Sequence, residues 1–213
     1  MEWDADSNLS DEALAEAYLG GEERALRALI ERHHDALLGF LIRMLGGDRG
    51  RAEDAFQETF LQVHRSLEGF DPQRRFKPWL FTIAANKARD ALRRQKRRPE
   101  RSLDAPAGGA GDGATVVDFL GMDEEAGEVA DDAEARSAMV QRAIDGLTEM
   151  QREILLLAYF QQLTYQQLAE LLGLPLGTVK SRLHAAVAAF SRNYKQVMEL
   201  QDGDRDGDRE GEA

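Results

Sequence analysis

The chain has 213 residues and a formal net charge of −12. It has no cysteine, and this excludes disulfides and thiolate metal sites. No apolar run approaches the roughly 20 residues that span a bilayer, and the acidic N-terminus lacks an apolar signal core. We therefore expect a cytoplasmic protein without membrane insertion. Good helix formers dominate the composition and alternating strand patterns are scarce. The expected fold class is all-α.

Apolar residues at helical spacing predict four helices in the first half of the chain. The first begins after Ser10, a plausible N-cap, and ends at Gly20-Gly21. The others are expected at about 22–45, 51–67 and 77–98. Residues 8–98 should therefore form one helical domain.

Acidic segments account for the negative charge of the chain. Residues 102–135 contain ten acids and no Lys or Arg, and residues 199–213 carry a net −5. Such sequence has little apolar surface to bury, so we expect a disordered linker at 99–133 and a disordered tail at 199–213. The rest of the chain is slightly basic, and residues 89–101 carry a net +5.

Helical periodicity resumes at about 133, and residues 134–198 are expected to form a second helical domain. Thr148 is a plausible N-cap within it. Residues 164–184 read as a helix-turn-helix: Gly173 ends one helix in a left-handed C′ conformation, and the next opens near Thr178 and extends to about Leu200. This arrangement is typical of helices that enter a DNA major groove. A plain helical hairpin in an all-α core is the alternative.

The fourth helix carries a second pattern, because Trp79, Asn86 and Arg93 are seven residues apart and so share one face. A ring that flanks an unstacked base, an amide that reads its edge and arginines that hold phosphates suit single-stranded nucleic acid. Alternatively, Trp79 belongs to the core and the arginines form a solvated helix end. The sequence has no catalytic constellation, metal-ligand spacing or phosphate-binding glycine loop, so we expect neither an enzyme nor a cofactor.

These stretches resemble segments of the bacterial extracytoplasmic-function RNA polymerase sigma factors. Residues 79–90 (WLFTIAANKARD) with Arg93-Arg94 are similar to the promoter-melting segment of the family. Residues 52–60 (AEDAFQETF) are similar to the preceding segment, which docks on the polymerase clamp helices, and residues 147–184 to sigma region 4. The resemblance covers both helical domains in the correct order.

The resemblance implies a promoter-specificity subunit whose partners are core RNA polymerase (clamp helices and flap), promoter DNA and an anti-sigma factor, without a small-molecule substrate. It implies that a melted −10 strand is read beside loop residues 69–76 and that a duplex −35 element is read by the helix-turn-helix. The implied polymerase-facing residues are Asp54, Gln57, Glu58 and Phe60. The implied −10 residues are Phe70, Trp79 and Asn86 for a flipped base and Arg89, Arg93 and Arg94 for phosphates. The implied −35 residues are Thr178, Lys180, Ser181, His184 and Arg182, the last on a base or a phosphate.

Residues 185–192 depart from the family pattern, which has more cations there, and fewer cations mean fewer phosphate contacts. Val187 and Phe190 therefore belong either to the core or to a protein-binding surface. Two other functions stay open: a free-standing helix-turn-helix regulator, which would have no use for residues 51–98, and an interaction module that inhibits polymerase or another sigma factor through DNA-like acidic segments. The acidic segments either solvate the chain or fold back on its basic patch.

Overall fold

The computed structural model describes residues 9–71, 74–96 and 130–210, and nearly all of them are helical. The chain divides into two units, Met1–Ser102 and Leu103–Ala213. The predicted all-α class with two helical regions is confirmed. Most of the predicted linker lies outside the described residues. Within the described ranges, no helix has the length and apolarity needed to cross a membrane.

The described part of the first unit is a bundle around α2. Its helices are α1 (Asp11–Leu19), α2 (Glu23–Met44), α3 (Arg49–Ser66) and α4 (Phe76–Lys96), with a 3-10 turn at Leu67–Gly69. Helix α2 packs against the other three and α3 packs against α4. Phe40 of α2 and Phe81 of α4 are fully buried and meet edge to face, with ring centroids 5.3 Å apart. This packing leaves one long side of α4 facing solvent.

Local caps set where these helices begin. The side chain of Ser10 accepts the N–H of Ala13 at 3.2 Å, which confirms the predicted cap of α1. Asp48 accepts the N–H of Arg51 at 3.0 Å and caps α3 in the same way. The predicted end of α4 near Arg98 lies outside the described residues.

The second unit is built on its last helix. Its elements are α5 (Ala130–Asp145), α6 (Glu149–Gln161), α7 (Tyr165–Leu172) and α8 (Leu176–Glu210), and α8 packs against the other three. Ile144, Leu156 and Leu168 contribute fully buried side chains from α5, α6 and α7. Thr148 and Thr164 each form a capping box with the glutamine three residues later, which confirms Thr148 as a cap.

The helix-turn-helix is present, with corrected boundaries. Gly173 ends α7 with φ 63°, the predicted left-handed conformation. Helix α8 begins at Leu176, before the predicted Thr178, because the carbonyl of Pro175 already accepts the N–H groups of Thr178 and Val179. It continues to Glu210, through most of the tail that composition predicted to be disordered. No proline follows Pro175, so every later residue keeps the N–H that a helix needs.

Candidate nucleic-acid interfaces

The solvent side of α4 begins at an aromatic cluster formed by Phe70, Phe76 and Trp79. The ring centroid of Trp79 lies 4.8 Å from that of Phe70 and 5.6 Å from that of Phe76. Phe76 is fully buried, whereas Trp79 is half-buried. Trp79 therefore packs against the core rings, while part of its side chain stays exposed.

Phe70, which the resemblance implies for a flipped base, is buried in the free protein. Only 8% of its surface is exposed, because its ring is covered by Phe76 and Trp79. The structure assigns it a supporting place behind Trp79. Of the loop 69–76, residues 72 and 73 lie outside the described residues.

Asn86 and Arg93 continue the exposed stripe of α4 below Trp79, as their spacing predicts. Arg89 donates a hydrogen bond to the side-chain oxygen of Asn86, so the amide and the guanidinium are held together on this face. Arg93 is exposed, with its guanidinium 3.7 Å from the carboxylate of Asp90. The stripe thus presents a partly exposed ring, an amide and cations along one line.

The α3 surface carries the residues implied to face polymerase. Asp54 and Gln57 are exposed, and Glu58 is half-buried. Phe60 is only 7% exposed and packs on Phe56 with centroids 5.0 Å apart. In place of an exposed docking side chain, Phe60 is a packing residue of the bundle.

Leu61 was missed by the sequence reasoning. It is 54% exposed although apolar, and it lies on the same helix face as Asp54, Gln57 and Glu58 because it follows them at helical spacing. In the sequence, the signal for its exposure was a large apolar residue on a helix face that otherwise carries acids and an amide. A single exposed leucine is common on protein surfaces, so the interest of Leu61 lies in its place on the face that carries Asp54, Gln57 and Glu58.

A small cleft joins the α3 and α4 surfaces. Its volume is about 200 Å³, and its lining includes Arg51, Asp54, Glu58, Lys87 and Arg94. A carboxylate oxygen of Glu58 lies 3.4 Å from Arg94 and 3.9 Å from Lys87. Two residues that the resemblance assigned to different partners, polymerase for Glu58 and DNA for Arg94, are therefore neighbours.

In the second unit, the start of α8 presents donors to solvent. Val179 and Leu183 are buried, whereas Lys180, Ser181 and His184 are exposed. The hydroxyl of Ser181 donates to the carbonyl of Thr178 at 3.1 Å, and Thr178 itself is half-buried.

Arg182 lies to one side of these residues. It is half-buried, with Nη1 3.4 Å from the sulfur of Met150 at the start of α6.

Tyr165, the first residue of α7, is a further member of this surface that the sequence reasoning missed. The amine of Lys180 lies 5.8 Å from the centroid of its ring, and Tyr165 is 39% exposed. Such a contact is worth about 0.5–1 kcal/mol at an exposed site. It orients Lys180 across the turn, and no local pattern could have revealed it, since the two residues lie on different helices.

One face of the cation-poor stretch after His184 belongs to the core. Ala186, Ala189 and Phe190 are buried, and Phe190 stacks on Tyr194 with centroids 5.9 Å apart. Val187 is half-buried. Of the two interpretations of Phe190, the core is correct, because α8 turns this face towards the rest of its unit.

Comparison with known proteins places both units in one family. The family model "Sigma-70 region 2" matches residues 29–98, and the model "Sigma-70, region 4" matches residues 137–190. The chain is 30% identical to the ECF RNA polymerase sigma factor SigW of Bacillus subtilis over 83% of its length and 92% of the relative. It is 34% identical to the RNA polymerase sigma factor CarQ of Myxococcus xanthus over 87% of its length and 94% of that relative.

Solved structures agree. CnrH, solved in complex with the cytosolic domain of CnrY, matches with a TM-score of 0.61 and 27% identity, covering 91% of this chain and 98% of CnrH. The sigma factor RpoE of Bartonella quintana, solved with the anti-sigma factor NepR, matches with a TM-score of 0.60 and 21% identity over 79% of this chain and 96% of RpoE. At 21% identity, the similarity to RpoE shows a shared fold alone.

Proposed function

Because this chain belongs to the extracytoplasmic-function RNA polymerase sigma factors, we propose that it reads the −35 element as duplex and the −10 element as a melted single strand. Its general role is that of a sigma factor in transcription initiation. The observation that carries the finer proposal is that the two units expose chemically different surfaces. One combines a ring, an amide and arginines, and the other presents short polar donors at the start of a helix.

The α4 stripe supports recognition of a melted strand. Extruding a base from the stack costs a few kcal/mol, and stacking on an aromatic side chain returns about 1–3 kcal/mol. The half-buried Trp79 supplies the ring and the exposed Asn86 supplies groups that can pair with a base edge. Arg89, Arg93 and Arg94 would hold the adjacent phosphates.

The start of α8 supports recognition of a duplex. It exposes Lys180, Ser181 and His184 over little more than one turn, while Val179 and Leu183 anchor the helix to its unit. A helix held in this way fits the width of the major groove, where side-chain donors meet base acceptors. With Arg182 placed to one side, we assign it to the phosphate backbone.

Core polymerase is the partner we propose for the exposed α3 face of Asp54, Gln57, Glu58 and Leu61, through its clamp helices, and for the second unit through its flap. An anti-sigma factor is the further expected partner. CnrH was solved with the cytosolic domain of CnrY, and the sigma factor RpoE was solved with the anti-sigma factor NepR, which supports this expectation.

Transcription with purified core polymerase on a randomised promoter library tests the proposal. Asn86→Ala should lose base preference at a −10 position and keep its −35 preference. Lys180→Ala should lose base preference at the −35 element and keep its −10 preference. Gln95→Ala is the matched control for Asn86, because it removes an exposed amide on another face of α4. Unchanged −10 preference for Asn86→Ala would contradict the −10 assignment. Tight, specific duplex binding without polymerase would instead favour a free-standing regulator.

A further inference from the structure

Two adjacent carboxylates at the start of α1 reach two different helices. Asp11 accepts from Arg32 at 2.8 Å through one oxygen and is hydrogen-bonded to Nε2 of His33 at 2.8 Å through the other. Glu12 accepts the backbone N–H of Phe76 at 2.9 Å. The two contacts of Asp11 join α1 to α2, and the contact of Glu12 joins α1 to the first residue of α4.

Both sets of contacts converge on Phe76. Its N–H is bound by Glu12, and its ring centroid lies 6.0 Å from that of His33, the partner of Asp11. The same ring touches Phe70 and Trp79, and it is fully buried. Because Trp79 follows Phe76 by less than one helical turn, a shift of Phe76 must move the Trp79 ring.

The start of α4 also needs a carboxylate from elsewhere in the unit. The first N–H groups of any helix have no partner within that helix and favour negative charge nearby. Helix α4 has no acid in its first turn, and its start carries Arg74, Arg75 and Lys77. Glu12 supplies both an acceptor and a negative charge at this end.

We propose that Asp11 and Glu12 are positioning residues for −10 recognition: through Phe76 they set the place of Trp79, and so they tune base preference without touching DNA. This inference rests on the proposed function of α4. It extends that function to α1, a helix outside the residues 29–98 that match region 2.

The test uses the full-length chain with core polymerase and compares Glu12→Ala with Glu12→Gln. The alanine variant should lower discrimination at the −10 element about five- to tenfold, the scale of one typical net hydrogen bond. The glutamine variant should recover most of it, because its side-chain oxygen also accepts an N–H. Preference at the −35 element and affinity for polymerase should not change. Glu16→Ala, an exposed acid on the same helix, is the matched control.

A structural readout keeps the inference separate from the proposed function. In a Trp3→Phe background Trp79 is the single tryptophan, and its emission should shift in Glu12→Ala and return in Glu12→Gln. If Glu12→Ala melts near the assay temperature, Glu12→Asp is the second variant, since it keeps the charge but is too short to reach the amide.

The outcomes are distinct. The inference is overturned if folded Glu12→Ala keeps both the emission and the −10 preference of the wild type while Asn86→Ala has a clear effect. In that case the proposed function still stands. A parallel loss of −10 and −35 preference would reduce Glu12 to a general structural role and overturn it too. If Asn86→Ala and Trp79→Ala both leave −10 preference unchanged, the proposed function fails, and the recognition role of Glu12 fails with it.

Discussion

Glu58 of α3 and Arg94 of α4 form an ion pair, with a carboxylate oxygen and a guanidinium nitrogen 3.4 Å apart. Their side chains are 41% and 62% exposed. Glu58 belongs to the surface proposed to meet polymerase, and Arg94 to the residues proposed to hold DNA phosphates. The pair therefore lies at the border between the two proposed interfaces, where binding of one partner can alter the charge offered to the other.

We expect this pair to contribute little to folding. Exposed ion pairs give at most about 1 kcal/mol, so the coupling energy in a double-mutant cycle of Glu58→Gln and Arg94→Gln should stay below that value. The measurement is denaturant unfolding of the four variants. A coupling well above 1 kcal/mol would show that the pair has a structural role, and any loss of transcription in these variants would then no longer report on binding.

Leu61→Glu should weaken binding to core polymerase with little change in stability. The side chain is already half exposed, so a charged replacement costs little in the free protein but would be buried against a partner. A loss of about tenfold or more in affinity is expected in a direct binding assay. Leu19→Glu, an exposed leucine on α1, is the matched control. Equal affinity of the wild type and Leu61→Glu would remove Leu61 from the docking surface.

Lys180→Ala should reduce binding to −35 DNA and relax its sequence preference there, with little change in the dependence of binding on salt. Loss of one phosphate-contacting cation is expected to reduce the slope of log affinity against log salt by about 1, whereas loss of a base contact leaves the slope and relaxes specificity. Binding of holoenzyme to a promoter fragment at several salt concentrations separates the two. Lys195→Ala, an exposed lysine four turns further along α8, should behave like wild type.

Gly146→Ala should destabilise the second unit. A Cβ at this position would lie 2.6 Å from the side-chain nitrogen of Asn193, which donates to the carbonyl of Ala143 at 3.0 Å. The added methyl group must displace that donor, at a cost of about 1 kcal/mol. Thermal unfolding followed by circular dichroism measures it. In an Asn193→Ala background the same change should cost much less, and additive effects would contradict the proposed clash.

Asp11 should make the stability of the first unit depend on pH. Burial raises its pKa, but hydrogen bonds and charges from His33 and Arg32 outweigh burial, so its pKa is lowered from the ordinary 3.8. A carboxyl group with a lowered pKa stabilises the fold above its unfolded pKa, and this contribution is lost as the pH falls through the folded value.

Asp11→Asn should therefore cost about 1–3 kcal/mol at pH 7, and the difference from wild type should shrink below about pH 4. Denaturation followed through Trp79 in the Trp3→Phe background measures this for the first unit. Glu31→Gln, which changes an exposed acid on α2, should show no such trend. A difference that stays constant from pH 7 to pH 3 would mean that the charge of Asp11 is not responsible.

Local features of this chain were predictable because they depend on residues a few positions apart. The caps at Ser10 and Thr148 and the left-handed end at Gly173 each involve one turn of chain. The shared face of Trp79, Asn86 and Arg93 follows from the helical period alone. The sequence motifs also led to the correct family, since both were present in the right order.

Whether an aromatic residue is buried or exposed depends on how the helices pack, and the sequence did not predict it. Phe60 and Phe70 were expected at interfaces, yet both are buried, because neighbouring rings from the same unit cover them. An aromatic residue on an amphipathic helix can serve either role, and its own sequence neighbourhood does not distinguish them. For the tail, composition predicts disorder at 199–213, whereas α8 continues to Glu210.

The sequence by itself determined the all-α class, the helix-turn-helix, the α4 stripe and membership of a sigma factor family. Only the tertiary structure decided which aromatic rings are covered, that Glu58 meets Arg94, and that Glu12 binds the amide of Phe76. The last two contacts join residues 36 and 64 positions apart. Helical periodicity tells which face a side chain lies on, but the partner of that face depends on how separate helices pack, which no local pattern specifies.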